Sequence, residues 1–193
     1  MLQNKFNQKN IILASGSPRR HELFKELGIN FSIKVKEIEE TYNADLKGDE
    51  ITNYLCKKKA AAFTNEISEN DIIITADTIV WHNNNPLEKP KNAAQAIKML
   101  QELSGKKHNV YSSVCIKTTK SEHVFSDVTT VSFKQLSLKE IEYYVENYKP
   151  FDKAGAYGIQ EWIGLIGVTQ IEGSYFNVMG LPVHKLYEEL MKL

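Results

Sequence analysis

Asp77 stands directly behind a run of apolar, β-branched residues, Ile72-Ile73-Ile74, followed by Thr75-Ala76. Open α/β sheets collect ligands beyond the C-terminal ends of their strands, and the pattern places Asp77 at such an end. An ionised carboxylate there offers a hard oxygen ligand to Mg²⁺ or Mn²⁺ and can accept a proton from water. An Asp that simply turns the chain at a strand end fits the same residues equally well. The segment Ser15-Gly16-Ser17-Pro18-Arg19-Arg20 is more informative. It joins a short apolar strand to a helix N-terminus, where unpaired N–H groups and the helix dipole favour an anion. Two hydroxyls and two guanidiniums add phosphate-directed donors. The alternative is a capped helix with solvent-facing arginines, and the Walker A spacing is missing.

Other segments carry weaker signals. Lys57-Lys58-Lys59 reads as a solvated helix face from which one lysine reaches a cleft. Glu88-Lys89-Pro90 is a short extended piece that offers Lys89 to phosphate. Glu37, Glu39 and Glu40 form an acidic cluster able to add a metal ligand, although a solvated loop explains it too. Lys153-Ala154-Gly155-Ala156-Tyr157-Gly158-Ile159-Gln160 pairs small residues, which let backbone approach a ligand, with an amide that can read a base edge. A structural turn is the competing account. Tyr143, Tyr144 and Tyr148 recur at helical spacing and read as core or interface. The five histidines show no zinc-type spacing, and neither Cys56 nor Cys115 has an evident base beside it.

The elements that must position these groups follow from periodicity and punctuation. Ile11–Ala14 reads as a buried strand, after which Ser17 and Pro18 open a helix with Leu23, Phe24 and Leu27 on one face and Gly28 at its end. Phe31, Ile33 and Val35 alternate as a second strand, and a helix is expected from near Glu50 to Ile67. Asn83-Asn84-Asn85 reads as a turn after Ile79-Val80-Trp81. Ala93–Leu103 is a helix stopped by Ser104-Gly105, and Asn109–Lys117 with Val124–Phe133 forms a candidate hairpin. Ser137 and Glu140 match a capping box. Trp162–Ile171 looks extended, and Leu181-Pro182 starts a terminal helix. Strands and helices alternate first and cluster later, so the expected fold is α/β, one unit of residues 1–193 around a mixed, twisted sheet with flanking helices.

Composition narrows the function classes. Lys+Arg and Asp+Glu both number 24, so a global basic field for nucleic acid is absent. No apolar run approaches a membrane span, and Met1–Asn10 lacks the apolar region of a secretory signal. Two distant cysteines suit a reducing compartment. A soluble, cytoplasmic protein is the expectation.

Taken together, the blocks Leu13–Arg20, Ala76–Val80, Glu88–Pro90, Leu103–Gly105 with His108–Val110, Asp152–Gln160, and Gly173–Tyr175 with Asn177-Val178 and Gly180–Pro182 resemble the Maf family of nucleoside triphosphate pyrophosphatases. They stand in the family's order over nearly the whole chain after an N-terminal extension of residues 1–10. The resemblance implies an ITPase-like (Maf-like) fold with a long central cleft, and hydrolysis between the α- and β-phosphates of a nucleoside triphosphate. It implies that Asp77 is the general base, close to a divalent cation (Mg²⁺ or Mn²⁺) that Glu40 helps to hold. It assigns Ser15, Arg20, Lys59, Lys89 and Lys153 to the triphosphate. Arg19, Thr78 and Gln160 fall where the family's branches differ, and this set is similar to the dTTP/UTP branch rather than the 7-methyl-GTP branch. Gln160 is followed by Glu161-Trp162, where the family usually has a small residue. No nucleic-acid or membrane partner is expected, and a homodimer is the default oligomer. The rival from another class is a non-catalytic nucleotide-binding regulator of cell division, against which the presence of both Asp77 and Glu40 argues.

Overall fold

The computed structural model describes residues 1–193. Along the chain run α1 (Leu2–Lys5), β1 (Asn10–Leu13), α2 (Pro18–Lys25), β2 (Ser32–Ile33), α3 (Asp49–Ala61), β3 (Asp71–His82) and β4 (Asn85–Leu87). There follow α4 (Ala93–Leu103), β5 (Lys107–Lys117), β6 (Glu122–Phe133), α5 (Leu138–Tyr148), a 3₁₀ turn at Ala154–Ala156, α6 (Trp162–Gly167), β7 (Val168–Glu172), α7 (Tyr175–Met179) and α8 (Val183–Lys192). The strands form one mixed sheet in the order β2-β1-β3-β5-β6-β7, with β4 paired to β3. β1 runs parallel to both β2 and β3, whereas β4 pairs with β3 and β7 with β6 in antiparallel sense. The expected mixed α/β sheet is what the chain forms.

The chain divides into two compact units, with boundaries inside β3, β5 and β6 and directly after α7. The first comprises Met1–Asp77, Ser112–Asp127 and Gly180–Leu193; the second comprises Thr78–Tyr111 and Val128–Met179. In the first unit Leu23 and Phe24 of α2 are buried, and each such side chain contributes ~1.5–3 kcal/mol of apolar burial. That anchorage fixes the turn Ser15–Arg20 at the helix's N-terminal end. Ile12, Ala14, Phe63 and Ile73 form one apolar cluster there, and Cys56, Ala60 and Cys115 another. The cysteines are free and buried, as a core role demands. Residues 1–10, which have no role readable from sequence, are tied down: Leu2 and Phe6 are buried, and Lys5 Nζ donates to the Met191 carbonyl at 2.5 Å.

The second unit has a larger core, built from Val80, Leu100, Leu103, Val131, Phe133, Tyr144, Tyr157 and Ile163 among others. α5 starts with the capping box anticipated at Ser137 and Glu140, and α4 has the expected bounds. The turn at Asn83 and Asn84 uses positive φ at both residues (49° and 60°), a conformation Asn tolerates and a tight hairpin needs.

Three expectations need correction. The helix expected to reach Ile67 ends at Ala61, and the chain turns onward with Phe63 buried. The strand expected around Phe31–Val35 shrinks to the exposed pair Ser32–Ile33. The stretch read as extended from Trp162 to Ile171 is a short helix followed by β7. A short apolar run does not distinguish strand from helix by periodicity. Within this helix a Cβ at Gly164 would lie 1.9 Å from the Ile159 carbonyl oxygen, so the backbone packs there in a way no other residue permits.

Candidate active site

Asp77 lies within β3 rather than after it, a correction to the sequence reading: Thr78–Trp81 continue the strand with residues suited to it. Its parallel neighbour β1 nevertheless stops pairing at the Leu13–Ile74 register, so Asp77 sits just past the C-terminal end of the parallel part of the sheet. The side chain is only 8% exposed, and its Oδ1 receives a 2.7 Å contact from Lys59 Nζ. The same ammonium lies 3.1 Å from Glu40 Oε1. Burial pushes the Asp77 carboxyl above its ordinary pKa, Lys59 and Arg20 draw it back, and Glu40 pushes it up again. The result is a buried carboxylate with raised basicity, held by a cation, which is what a general base requires.

Helical geometry explains which lysine reaches it. Consecutive residues on α3 point about 100° apart, so the three lysines serve three neighbourhoods. Lys57 faces Glu122 at 3.9 Å, Lys58 donates to the Thr41 carbonyl at 3.1 Å, and Lys59 alone enters the acidic pair. Of Glu37, Glu39 and Glu40, Glu40 is the member that meets Lys59.

The Ser15–Arg20 turn behaves partly as expected. Ser17 occupies the cap position and Pro18 the first turn of α2, yet no side chain caps the helix. Ser15, buried, accepts the Ser17 N–H at 3.3 Å, and its carbonyl pairs with His21 Nε2 at 2.6 Å. Arg20 directs Nε to the Gly180 carbonyl and Nη1 to the Ala76 carbonyl, both at 2.8 Å. Two of its donors therefore clamp backbone, one of them the residue before Asp77, so Arg20 positions the carboxylate as well as adding positive charge. Burial lowers the guanidinium's pKa, Asp77 opposes this, and the adjacent Arg19 lowers it further.

The second unit holds Thr78, Lys89, Lys153 and Gln160. The Gly155 N–H donates to the Glu88 carbonyl at 3.2 Å, which joins the Glu88–Pro90 segment to the Lys153–Gln160 loop. Gly155 and Ala156 both adopt left-handed backbone (φ 68° and 59°) inside that loop. At Gly155 a Cβ would meet the Val80 side chain at 2.8 Å. Lys89 and Gln160 are exposed, and Thr78 is half-buried. Lys153 is buried, with Nζ 2.7 Å from Asp152 Oδ1 and 3.1 Å from Glu161 Oε1. Glu161 also accepts the Tyr144 hydroxyl, which in turn accepts the Gly158 N–H at 3.0 Å. Sequence reasoning missed the polar role of Tyr144, though a buried tyrosine hydroxyl always needs a partner.

The oxygen donors available to a divalent cation are few. No group of three or more His, Cys, Asp or Glu side chains surrounds a common point. Glu40 and Asp77 do present oxygens to one shared cation, the Lys59 ammonium. Mg²⁺ commonly takes one or two carboxylates and completes its shell with water and substrate phosphates. The pair fits a cation that arrives with a phosphorylated substrate, not a closed resident metal site.

The fold is that of the Staphylococcus aureus Ham1 protein, a solved structure with 16% sequence identity, covering 95% of this chain and 98% of that one at a TM-score of 0.53. The chain belongs to the Maf family: the family model described as Maf-like protein matches residues 10–193. A protein of Flavobacterium johnsoniae named dTTP/UTP pyrophosphatase is 55% identical over 193 residues, covering 100% of both chains. Proteins of the same name from Phocaeicola vulgatus (55%, 100% of both chains) and Christiangramia forsetii (51%, 100% of this chain and 98% of that one) are similar to it as well. No helix is long and apolar enough to cross a membrane.

Proposed function

We propose that this protein hydrolyses dTTP and UTP to the nucleoside monophosphate and pyrophosphate with the help of a divalent cation. The observation that carries the reading is the Lys59 ammonium placed between Asp77 (2.7 Å) and Glu40 (3.1 Å). Relatives at 51–55% identity over 98–100% of their lengths, named for that activity, support the substrate class.

In this mechanism Asp77 holds the attacking water and takes its proton. A buried carboxyl with raised pKa is a better proton acceptor than one in solvent. Arg20 fixes the backbone in front of Asp77 through the Ala76 carbonyl. Lys59 keeps the carboxylate oriented and offers its charge to the phosphates when substrate enters. Ser15 and the uncapped start of α2 provide donors suited to phosphate oxygens. When bound, Mg²⁺ or Mn²⁺ on Glu40 and Asp77 would neutralise charge gathering on the leaving pyrophosphate. Lys89 and Lys153 are proposed as further phosphate contacts, and Arg19, Thr78 and Gln160 as the set that selects the pyrimidine base. Most of the acceleration is then positioning and charge stabilisation. Work in the cytoplasm, as a homodimer, completes the proposal.

Incubation of the purified protein with UTP, dTTP, CTP, GTP and 7-methyl-GTP in Mg²⁺ or Mn²⁺ tests it. Pyrophosphate released mainly from UTP and dTTP is the expected outcome. Turnover of another nucleotide would reject the base-selecting set, and nucleotide binding without turnover would favour a regulator.

A further inference from the structure

The structure gives Glu161 three tasks at once. As the residue at the N-terminal cap of α6, it donates its own N–H to the Gly158 carbonyl at 3.0 Å, closing the turn that carries Ile159 and Gln160. One carboxylate oxygen accepts the Tyr144 hydroxyl, itself bonded to the Gly158 N–H. The other oxygen holds Lys153 Nζ at 3.1 Å. The slot is tight: a Cβ on Gly158 would meet Glu161 Cδ at 2.9 Å, Oε2 at 3.0 Å and Lys153 Cε at 3.1 Å. Tyr144 is itself fully buried on α5, so the anchor of this network is part of the core.

We propose that Glu161 is a positioning residue that, through Tyr144, locks the Gly158–Gln160 turn and holds Lys153 in place for a nucleotide's phosphate. This rests on the pyrophosphatase reading above. A hydrogen bond to a charged group that is lost from a buried network shifts an equilibrium by about tenfold.

The test is steady-state kinetics of the full chain with UTP and dTTP, alongside thermal melts. Glu161→Ala should raise KM about tenfold while kcat stays within about threefold, because ground-state and transition-state binding are lost together. Tyr144→Phe should move KM the same way by a smaller amount, and the double variant should be no worse than Glu161→Ala alone, since both break one network. Glu161→Gln, which keeps the shape and an acceptor for Tyr144, should recover part of the loss, and it reports on the network if the Ala variant does not fold. Gly158→Ala should raise KM in the wild-type background and less so when Glu161 is Ala. An active wild type with unchanged KM in Glu161→Ala and Glu161→Gln, or additive single and double variants, would overturn the proposal and leave the pyrophosphatase reading standing. A wild type that releases no pyrophosphate would overturn both.

Discussion

The two units hold the same small device in different settings. In the first, Lys59 bridges a buried carboxylate, Asp77, and a more exposed one, Glu40; in the second, Lys153 bridges the more buried Glu161 and the exposed Asp152. Both trios carry one positive and two negative charges, so charge count does not separate them. What differs is what the more buried carboxylate touches. The side chain of Asp77 is 8% exposed, and burial raises its pKa with cations opposing. Glu161, at 20%, is tied to a tyrosine hydroxyl that already serves the backbone. In the proposed mechanism the first is a base held ready and the second a brace. Residue type alone assigns neither role.

The largest effect that would break this contrast is on turnover. Asp77→Asn should lower kcat by about 10³-fold or more, as loss of a general base does, while circular dichroism melts stay close to wild type. An equal fall from Glu161→Gln would erase the distinction. Next, Lys59→Met should cost about 10²-fold in kcat/KM, the scale of a misplaced catalytic group. It should also move the acid limb of the pH profile upward, since the cation that lowers the Asp77 pKa is gone. An unshifted limb would mean that Lys59 does not govern the base. Smaller still, Glu40→Gln should raise the Mg²⁺ or Mn²⁺ concentration needed for half-maximal rate by about tenfold, an effect typical of metal-site partners; an unaltered metal requirement would remove Glu40 from the cation's shell.

The units also respond to pH with opposite sign. Asp77 has a raised pKa, so its contribution to stability is present below the ordinary carboxyl value and is lost as pH rises through the folded value. In the second unit, burial lowers His108 to about 3 from 6.5. The unfolded chain then binds the extra proton between those values, so stability present above 6.5 drains as pH falls. The slope from this one group approaches about 1.4 kcal/mol per pH unit, readable in urea melts. His108→Gln, which can keep a bond to the Tyr157 hydroxyl, should flatten that slope; an unchanged slope would move the proton elsewhere.

Sequence made the first unit's site more legible than the second's. Strand punctuation, a proline-started helix and a lone strand carboxylate point to Ser15–Arg20 and Asp77 without any knowledge of packing. Asp77 lies within β3 because only the parallel pairing of β3 with β1 ends at Ile74, while β3 itself runs on to His82. That Lys59 is the lysine which matters follows from helix phase, which sequence specifies only once the helix's orientation is known. The brace around Glu161 was out of reach for a different reason. Tyr144 reads as core from its spacing, and it is core; its hydroxyl's partner comes from a turn seventeen residues away in sequence. α6 was misread because a short apolar run fits a strand and a helix alike.

The central claim, that the Lys59-bridged pair performs hydrolysis between the α- and β-phosphates, is tested most directly by product analysis of UTP and dTTP turnover with Mg²⁺. The account predicts monophosphate and pyrophosphate in equal amounts from the wild type and neither from Asp77→Asn. Diphosphate with orthophosphate, or undiminished pyrophosphate from the variant, would contradict it.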